Sequence, residues 1–233
     1  SPADMRGSWA GAMGNFQFLP SVYLQHAVDA DGDGRRDLWN SFPDAVSSAA
    51  RFLAALGWER GYRWGREARV PEDFDYALAG RSERRPLADW VAMGITDAHG
   101  RQLPPLDLPT AVIVPSGGDG PAFLAYPNFD IIMRWNRSEF YALAVGRLAD
   151  RIAGAGELTR APADAELKLS FEDVRSLQAA LQSLGYLDDE PDGLFGPNTR
   201  RALSAFQKTR GLRADGHPGE AALTAVQEAV GSL

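Results

Sequence analysis

The stretch Asp29-Ala30-Asp31-Gly32-Asp33-Gly34-Arg35-Arg36-Asp37-Leu38-Trp39-Asn40 constrains this chain more than any other. Oxygen side chains fall at the first, third, fifth and ninth places of a twelve-residue loop with glycine at the sixth, which is EF-hand spacing. A hard cation needs several oxygens converging at once, and alternate placement on a tight loop supplies them. The candidate ligands are Asp29, Asp31, Asp33, Asp37, Arg35 at the seventh place and Asn40 at the twelfth. Asn40 stands where a bidentate acid is usual and offers one neutral oxygen, so the expectation is a structural Ca2+ clip rather than a calcium switch. The bland alternative is a solvated Asp/Gly turn.

The flanks of this loop read as helix. Ser21–Ala27 follows Pro20, whose missing donor suits a first turn. Pro43–Leu56 has Ser41 as a cap, Ala45, Ala49, Phe52, Leu53 and Leu56 on one face, and Gly57 as a stop. Short helices are predicted over Pro71–Ala79 and Pro86–Met93, and two strands, Thr110–Val114 and Ala122–Tyr126, around the turn 115–120. Ser138–Ile152 returns to helix, with Phe140, Leu143, Ala144, Leu148 and Ile152 as its apolar face. Beyond it, Ala153-Gly154-Ala155-Gly156 and the proline-broken run around Pro162 read as a linker. The division expected is 1–157, a linker over 158–167, and 168–233.

Composition narrows the function. The 233 residues are 45% hydrophobic and 24% charged, with a net charge of −7. An acidic chain without a basic cluster is a poor partner for nucleic acid. The absence of cysteine removes disulfides, thiolate metal sites and cysteine nucleophiles. His26, His99 and His217 have no ligand spacing, and no organic cofactor is expected. No run approaches the length of a membrane span. The opening Ser1-Pro2-Ala3-Asp4 suggests that something N-terminal has been removed.

Gly7-Ser8-Trp9-Ala10-Gly11-Ala12-Met13-Gly14-Asn15-Phe16-Gln17-Phe18-Leu19-Pro20-Ser21 combines close-approach glycines, short polar groups and aromatic faces, the mixture that holds sugars. It resembles the active-site stretch of the membrane-bound lytic transglycosylase B family, in which an EF-hand-like loop follows directly. Trp135-Asn136-Arg137-Ser138-Glu139-Phe140-Tyr141 resembles that family's second active-site segment, and the likeness runs over residues 4–153. It implies a mainly α fold (α+β): a lysozyme-like domain with a small β insertion and an EF-hand-like loop. It also implies cleavage of the MurNAc-β-1,4-GlcNAc bond to 1,6-anhydro-MurNAc products in cell-wall turnover, in the periplasm. Ser8 and Gln17 would bond the sugar or its N-acetyl group, Asn136 and Tyr141 would line the muramic subsite, and Met13 and Phe52 would form apolar wall. Trp135 and Phe52 replace frequent tyrosines, which favours stacking over hydrogen bonding.

The same resemblance places the catalytic glutamate upstream of the glycine motif. No glutamate precedes Glu59 here, so the general acid/base is expected upstream of Ser1, in a missing N-terminal part that would also carry any lipid anchor. Glu139 reads as a surface residue. The alternative is a non-catalytic peptidoglycan-binding or scaffold protein.

Beyond the linker, Val174, Leu177, Leu181 and Leu184 form one stripe. Asp192-Gly193-Leu194-Phe195-Gly196 and Asp215-Gly216-His217-Pro218-Gly219 each precede an amphipathic helix, a weak internal repeat of turn chemistry. Residues 168–231 resemble the peptidoglycan-binding type 1 domain, which implies a three-helix module that tethers an enzyme to glycan strands and muropeptides. Tyr186, Asp192, Phe195, Asn198 and Arg200 are its candidate contacts.

Overall fold

The computed structural model describes residues 6–162 and 169–232. In chain order the elements are α1 (Pro20–His26), α2 (Phe42–Ala55), β1 (Gly65–Arg69), a 3-10 turn (Tyr76–Leu78), β2 (Arg85–Pro86), α3 (Leu87–Ala92), β3 (Thr96–Asp97), β4 (Pro109–Ile113) and β5 (Ala122–Ala125). Then follow α4 (Pro127–Trp135), α5 (Glu139–Ile152), α6 (Phe171–Ser183), α7 (Pro197–Thr209) and α8 (Glu220–Val230). The fold is mainly helical with a small sheet, as expected. Two units are separable, one made of residues up to Tyr62 with Pro127–Val145, the other of Arg63–Tyr126 with Gly146 onward.

In the first unit α2 starts where its sequence says, because the Ser41 hydroxyl accepts the Asp44 N–H. Phe18, Leu38 and Ala45 form a buried core, with Val22, Tyr23, Trp39, Phe52 and Trp135 packed on it. α4 is an addition to the helices expected from the sequence. Its Asn128 is wholly buried, and its carboxamide accepts from Glu59 N–H and donates to the Glu59 and Tyr62 carbonyls. A buried amide so satisfied fixes the loop after α2 without an apolar signature.

In the second unit five antiparallel strands run in the order β2-β4-β5-β1-β3. Two of these strands match the predicted pair, and three are additions. β1 was missed because Gly-Arg-Glu-Ala-Arg has no alternation of apolar residues, yet it pairs on both edges. Gly65 is required there, since a Cβ would lie 2.4 Å from the Leu124 carbonyl oxygen. Glu67 in β1 is buried and accepts from the Thr159 N–H, the Thr159 hydroxyl and the Arg160 N–H. The start of the expected linker is therefore pinned to the sheet, while residues 163–167 lie outside the described residues. The helix predicted over Pro71–Ala79 is reduced to the 3-10 turn, whose Asp75 caps Ala77.

The apolar face assigned to α5 is corrected. Phe140, Leu148 and Ile152 are exposed, and the helix instead buries Ala142, Leu143, Gly146 and Asp150. From Gly146 this burial is set by Trp64. A Cβ on Gly146 would meet the indole at 2.3 Å, and the Trp64 ring N–H donates to Asp150, which also pairs with Arg63.

The C-terminal helices bury Leu177, Leu181, Leu203, Phe206, Ala222 and Val226 in one core. The sequence repeat has a structural basis. Gln178 donates to Asp192 and accepts the Gly193 N–H, while Asp192 accepts the Leu194 N–H. Gln207, Asp215, Gly216 and His217 repeat those contacts one for one. Asp215 does more: its second oxygen accepts the Gly118 N–H at 2.9 Å, next to an Arg213–Asp119 ion pair and an Arg160 bond to the Gly118 carbonyl. The bundle is thereby bonded to the turn between β4 and β5. Asp215→Ala should cost about 2 kcal/mol through loss of charge-assisted bonds. It should also speed exchange of the Gly118 amide, 97 residues away in sequence, which hydrogen-exchange NMR would read.

Candidate functional site

The glycine segment of the first unit is a double turn. Ser8 N–H donates to the Ala12 carbonyl, Gly11 N–H to the Ser8 carbonyl, and the Ser8 hydroxyl accepts the Ala12 N–H. Met13 and Phe18 then exchange both backbone bonds, at 2.9 and 2.8 Å. That pairing buries Met13 and Phe18 and leaves Asn15, Phe16 and Gln17 exposed between them. Gln17 has φ +53°, the left-handed region that favours glycine, and its carboxamide donates to the Gly14 carbonyl.

Trp135, at the end of α4, lies 5.0 Å from Phe52, 5.5 Å from Phe18 and 6.5 Å from Phe16, ring centre to ring centre. The glycine segment and the Trp135-Asn136 segment thus share one aromatic floor. Asn136 is exposed and accepts the Ser138 N–H; the Ser138 hydroxyl accepts the Tyr141 N–H in the first turn of α5. Burial pushes the Tyr141 phenol up from its ordinary pKa, so it remains a hydrogen-bond donor at neutral pH. Ser8, Met13, Gln17, Phe52, Trp135, Asn136 and Tyr141 all belong to this unit.

The acid loop assembles differently from the EF-hand expectation. Asp29, Asp31 and Asp44 bring carboxylate oxygens within 4.8 Å of one another. Asp44 is a residue that the loop spacing did not reveal. Asp33 caps Arg35, and Asp37 accepts from Trp39, from Asn40 and from the Asn40 side chain. Asp29 likewise accepts the Gly32 and Gly34 N–H groups and Asp31 the Ser41 hydroxyl, so the whole loop is laced by its own carboxylates. The Asn40 side chain, followed by its backbone N–H, holds the Asp37 carboxyl below its ordinary pKa; the Ala30 N–H does so first for Asp44. Asp44 is fully buried and also accepts the Asp37 N–H. Three anionic oxygen donors with lone pairs to spare fit a hard cation such as calcium.

The acid loop also carries the glycine segment. Asn15 donates its N–H to the Leu38 carbonyl and its amide to the Trp39 carbonyl, and a Cβ on Gly14 would collide with Leu38 at 2.8 Å.

In the C-terminal bundle the expected contacts take part in several separate interactions. Tyr186 and Asn198 border a shallow cleft of about 280 Å³ with Asp188, Asp189 and Arg201. Arg200 lies over the Phe195 ring at 5.7 Å, and Asp192 belongs to the Gln178 turn.

Fold and site together define a mainly helical, lysozyme-like protein with an appended three-helix module. Residues 1–150 match the Transglycosylase SLT domain family, and the chain belongs to that family; residues 170–226 match the Putative peptidoglycan binding domain. Membrane-bound lytic murein transglycosylase B of Escherichia coli is 34% identical over 164 residues, covering 65% of this chain and 41% of that protein. SltB3 from Pseudomonas aeruginosa, solved in complex with NAG-anhNAM-pentapeptide, superposes with a TM-score of 0.90 at 43% identity, over 97% of this chain and 61% of that one. Escherichia coli Slt35, solved in complex with calcium, gives a TM-score of 0.51 at 34% identity, over 66% of this chain and 47% of that one. The chain thus spans between about two fifths and three fifths of these relatives.

Two outcomes follow. Because Asp37 and Asp44 titrate below the ordinary 3.8 in the folded protein, their stabilisation is complete above that value and is lost as pH falls through their depressed folded pKa values. Asp44→Asn should flatten the acid limb of a stability-versus-pH curve. Gln17→Gly should leave thermal stability unchanged or raise it by up to about 1 kcal/mol, because it relieves a left-handed non-glycine residue.

Proposed function

We propose that this chain is part of a lytic transglycosylase that cleaves the bond between N-acetylmuramic acid and N-acetylglucosamine in peptidoglycan, giving a 1,6-anhydro end. The supporting observation is the shared floor of Trp135, Phe18, Phe16 and Phe52 beneath the glycine segment. Such a floor would give a pyranose ring an apolar face, and Gln17 and Asn136, next in sequence to Phe16 and Trp135, with Ser8 and Tyr141, would supply the polar groups that sugar recognition requires. The names of the relatives, with NAG, NAM and murein in them, point to the same substrate.

In that reaction a carboxylic acid protonates the leaving glycosidic oxygen. The carboxylate formed then takes the proton from the muramic C6 hydroxyl as that oxygen bonds to C1. One group serves as acid and base in turn, unlike the two-carboxylate scheme. Ser8, Gln17 and Asn136 would hold the N-acetyl group, and Trp135 and Phe52 would fix the ring. The glutamates of this unit do not suit the proton role: Glu59 is exposed beside the Asn128 bonds, and Glu139 opens α5. The acid is therefore assigned to a part of the protein beyond these residues, in line with the share of the relatives that the chain spans.

Calcium is assigned to Asp29, Asp31 and Asp44, where it would offset three converging negative charges and stiffen the loop that carries Asn15. Among the described residues no helix is long and apolar enough to cross a membrane. A periplasmic location follows from the substrate. The C-terminal module would hold the protein on the wall, which needs only modest affinity because linkage raises local concentration.

Incubated with purified sacculi, the chain should sediment with them and release no anhydromuropeptides. Failure to sediment would remove the peptidoglycan reading; release would put the acid inside this chain. Calcium at about millimolar concentration should raise the melting temperature, and Asp29→Asn should abolish the rise. An unchanged melting temperature in the unmodified protein would remove the calcium assignment.

A further inference from the structure

The two Gln–Asp–Gly turns of the C-terminal bundle are copies in their internal bonds and differ in what they hold. In the second, Asp215 uses Oδ1 for Gln207 and His217, and Oδ2 receives a backbone N–H from another segment, Gly118. The incoming turn rests on the residue two places after the aspartate: a Cβ on Gly117 would lie 2.6 Å from the His217 Cβ. In the first, Asp192 uses Oδ1 for Gln178 and Leu194 in the same way, and its Oδ2 takes no bond from another segment of the described chain. Leu194 stands in the place of His217 and is 65% exposed; Phe171, 53% exposed, has its ring against Gly193.

We propose that Asp192 Oδ2, with Leu194 and Phe171 as apolar borders, is a binding site for a secondary amide N–H of peptidoglycan, bound as Gly118 is bound by Asp215. The inference rests on the wall-binding reading of the module and names the chemistry of its contact. The carboxylate is preorganised: Gln178 and the Leu194 N–H fix its plane, and Gln178 is itself buried and bonded to Thr199. Binding there orders nothing new in the protein, so the cost of fixing a flexible acceptor is avoided. The flanking side chains suit a small group beside the N–H, such as the methyl of an acetamido group or of an alanine. N-acetylated sugars and stem peptides both carry such amides, so the source is left to experiment.

The test is ¹⁵N NMR of the whole chain, titrated separately with a soluble N-acetylglucosamine oligomer and with a sugar-free stem peptide. The Gly193 and Leu194 amides should shift with at least one probe, and the probe that acts identifies the source. Leu194→Asp, at an exposed position, and Asp192→Asn, which keeps an acceptor for Leu194, should each weaken that response about tenfold or more, the worth of a charge-assisted bond. The Gly216 and His217 amides should stay in place. No shift at Gly193 and Leu194 with either probe, or full-strength response in both variants, overturns the site. If the unmodified chain then still sediments with sacculi, the module reading survives without it; if it does not, both fall.

Discussion

The first unit hangs on one buried carboxylate. Asp44 sits in the first turn of α2 with no exposed surface, and it accepts the N–H groups of Ala30 and Asp37. It therefore grips the acid loop at both ends. A buried charge is tolerated only when hydrogen bonds replace its lost water, and backbone donors do that here. From the end of the same loop, the Leu38 and Trp39 carbonyls hold Asn15, and Gly14 lies too close to Leu38 for any side chain. The Met13–Phe18 pair then sets Phe18 against Trp135 and Phe52. A chain of contacts thus leads from an acidic loop to an aromatic floor.

Much of this was legible. Ser41, Pro43 and the spacing of Ala45 and Ala49 gave α2. What escaped depended on partners distant in sequence. Asp44 reads as an ordinary first-turn acid, favourable at a helix N-terminus, and nothing nearby says that it turns back to Ala30. β1 can carry the buried Glu67 because Thr159 and Arg160, from 92 residues on, donate hydrogen bonds to its carboxylate. On α5 the most apolar stripe is exposed, since the Trp64 indole demands Gly146 and Asp150 beneath it. Periodicity shows that a helix has faces; the shape of its neighbour decides which is buried.

The bundle shows the same division between local and distant rules. Its two Asp-Gly turns are legible as turn chemistry, and each is closed by a buried glutamine, Gln178 and Gln207. The use of the second turn to hold Gly118 could not be read, because it joins segments with no pattern in common. That bond, with the pinning of Thr159 to Glu67, makes the bundle and the sheet parts of one unit.

Gln17 is the strained residue of the glycine segment. Its backbone lies where a non-glycine residue is strained, at a cost on the order of 1–3 kcal/mol for such positions, and the neighbouring Gly11 and Gly14 show that this segment takes glycine where only the backbone matters. What a glutamine adds there over glycine is its side chain. Its Nε2 is tied to the Gly14 carbonyl, which fixes the plane of the carboxamide and leaves its oxygen as an oriented acceptor beside Phe16. In the glycan reading proposed above, that oriented oxygen would receive an acetamido N–H without further ordering of the side chain.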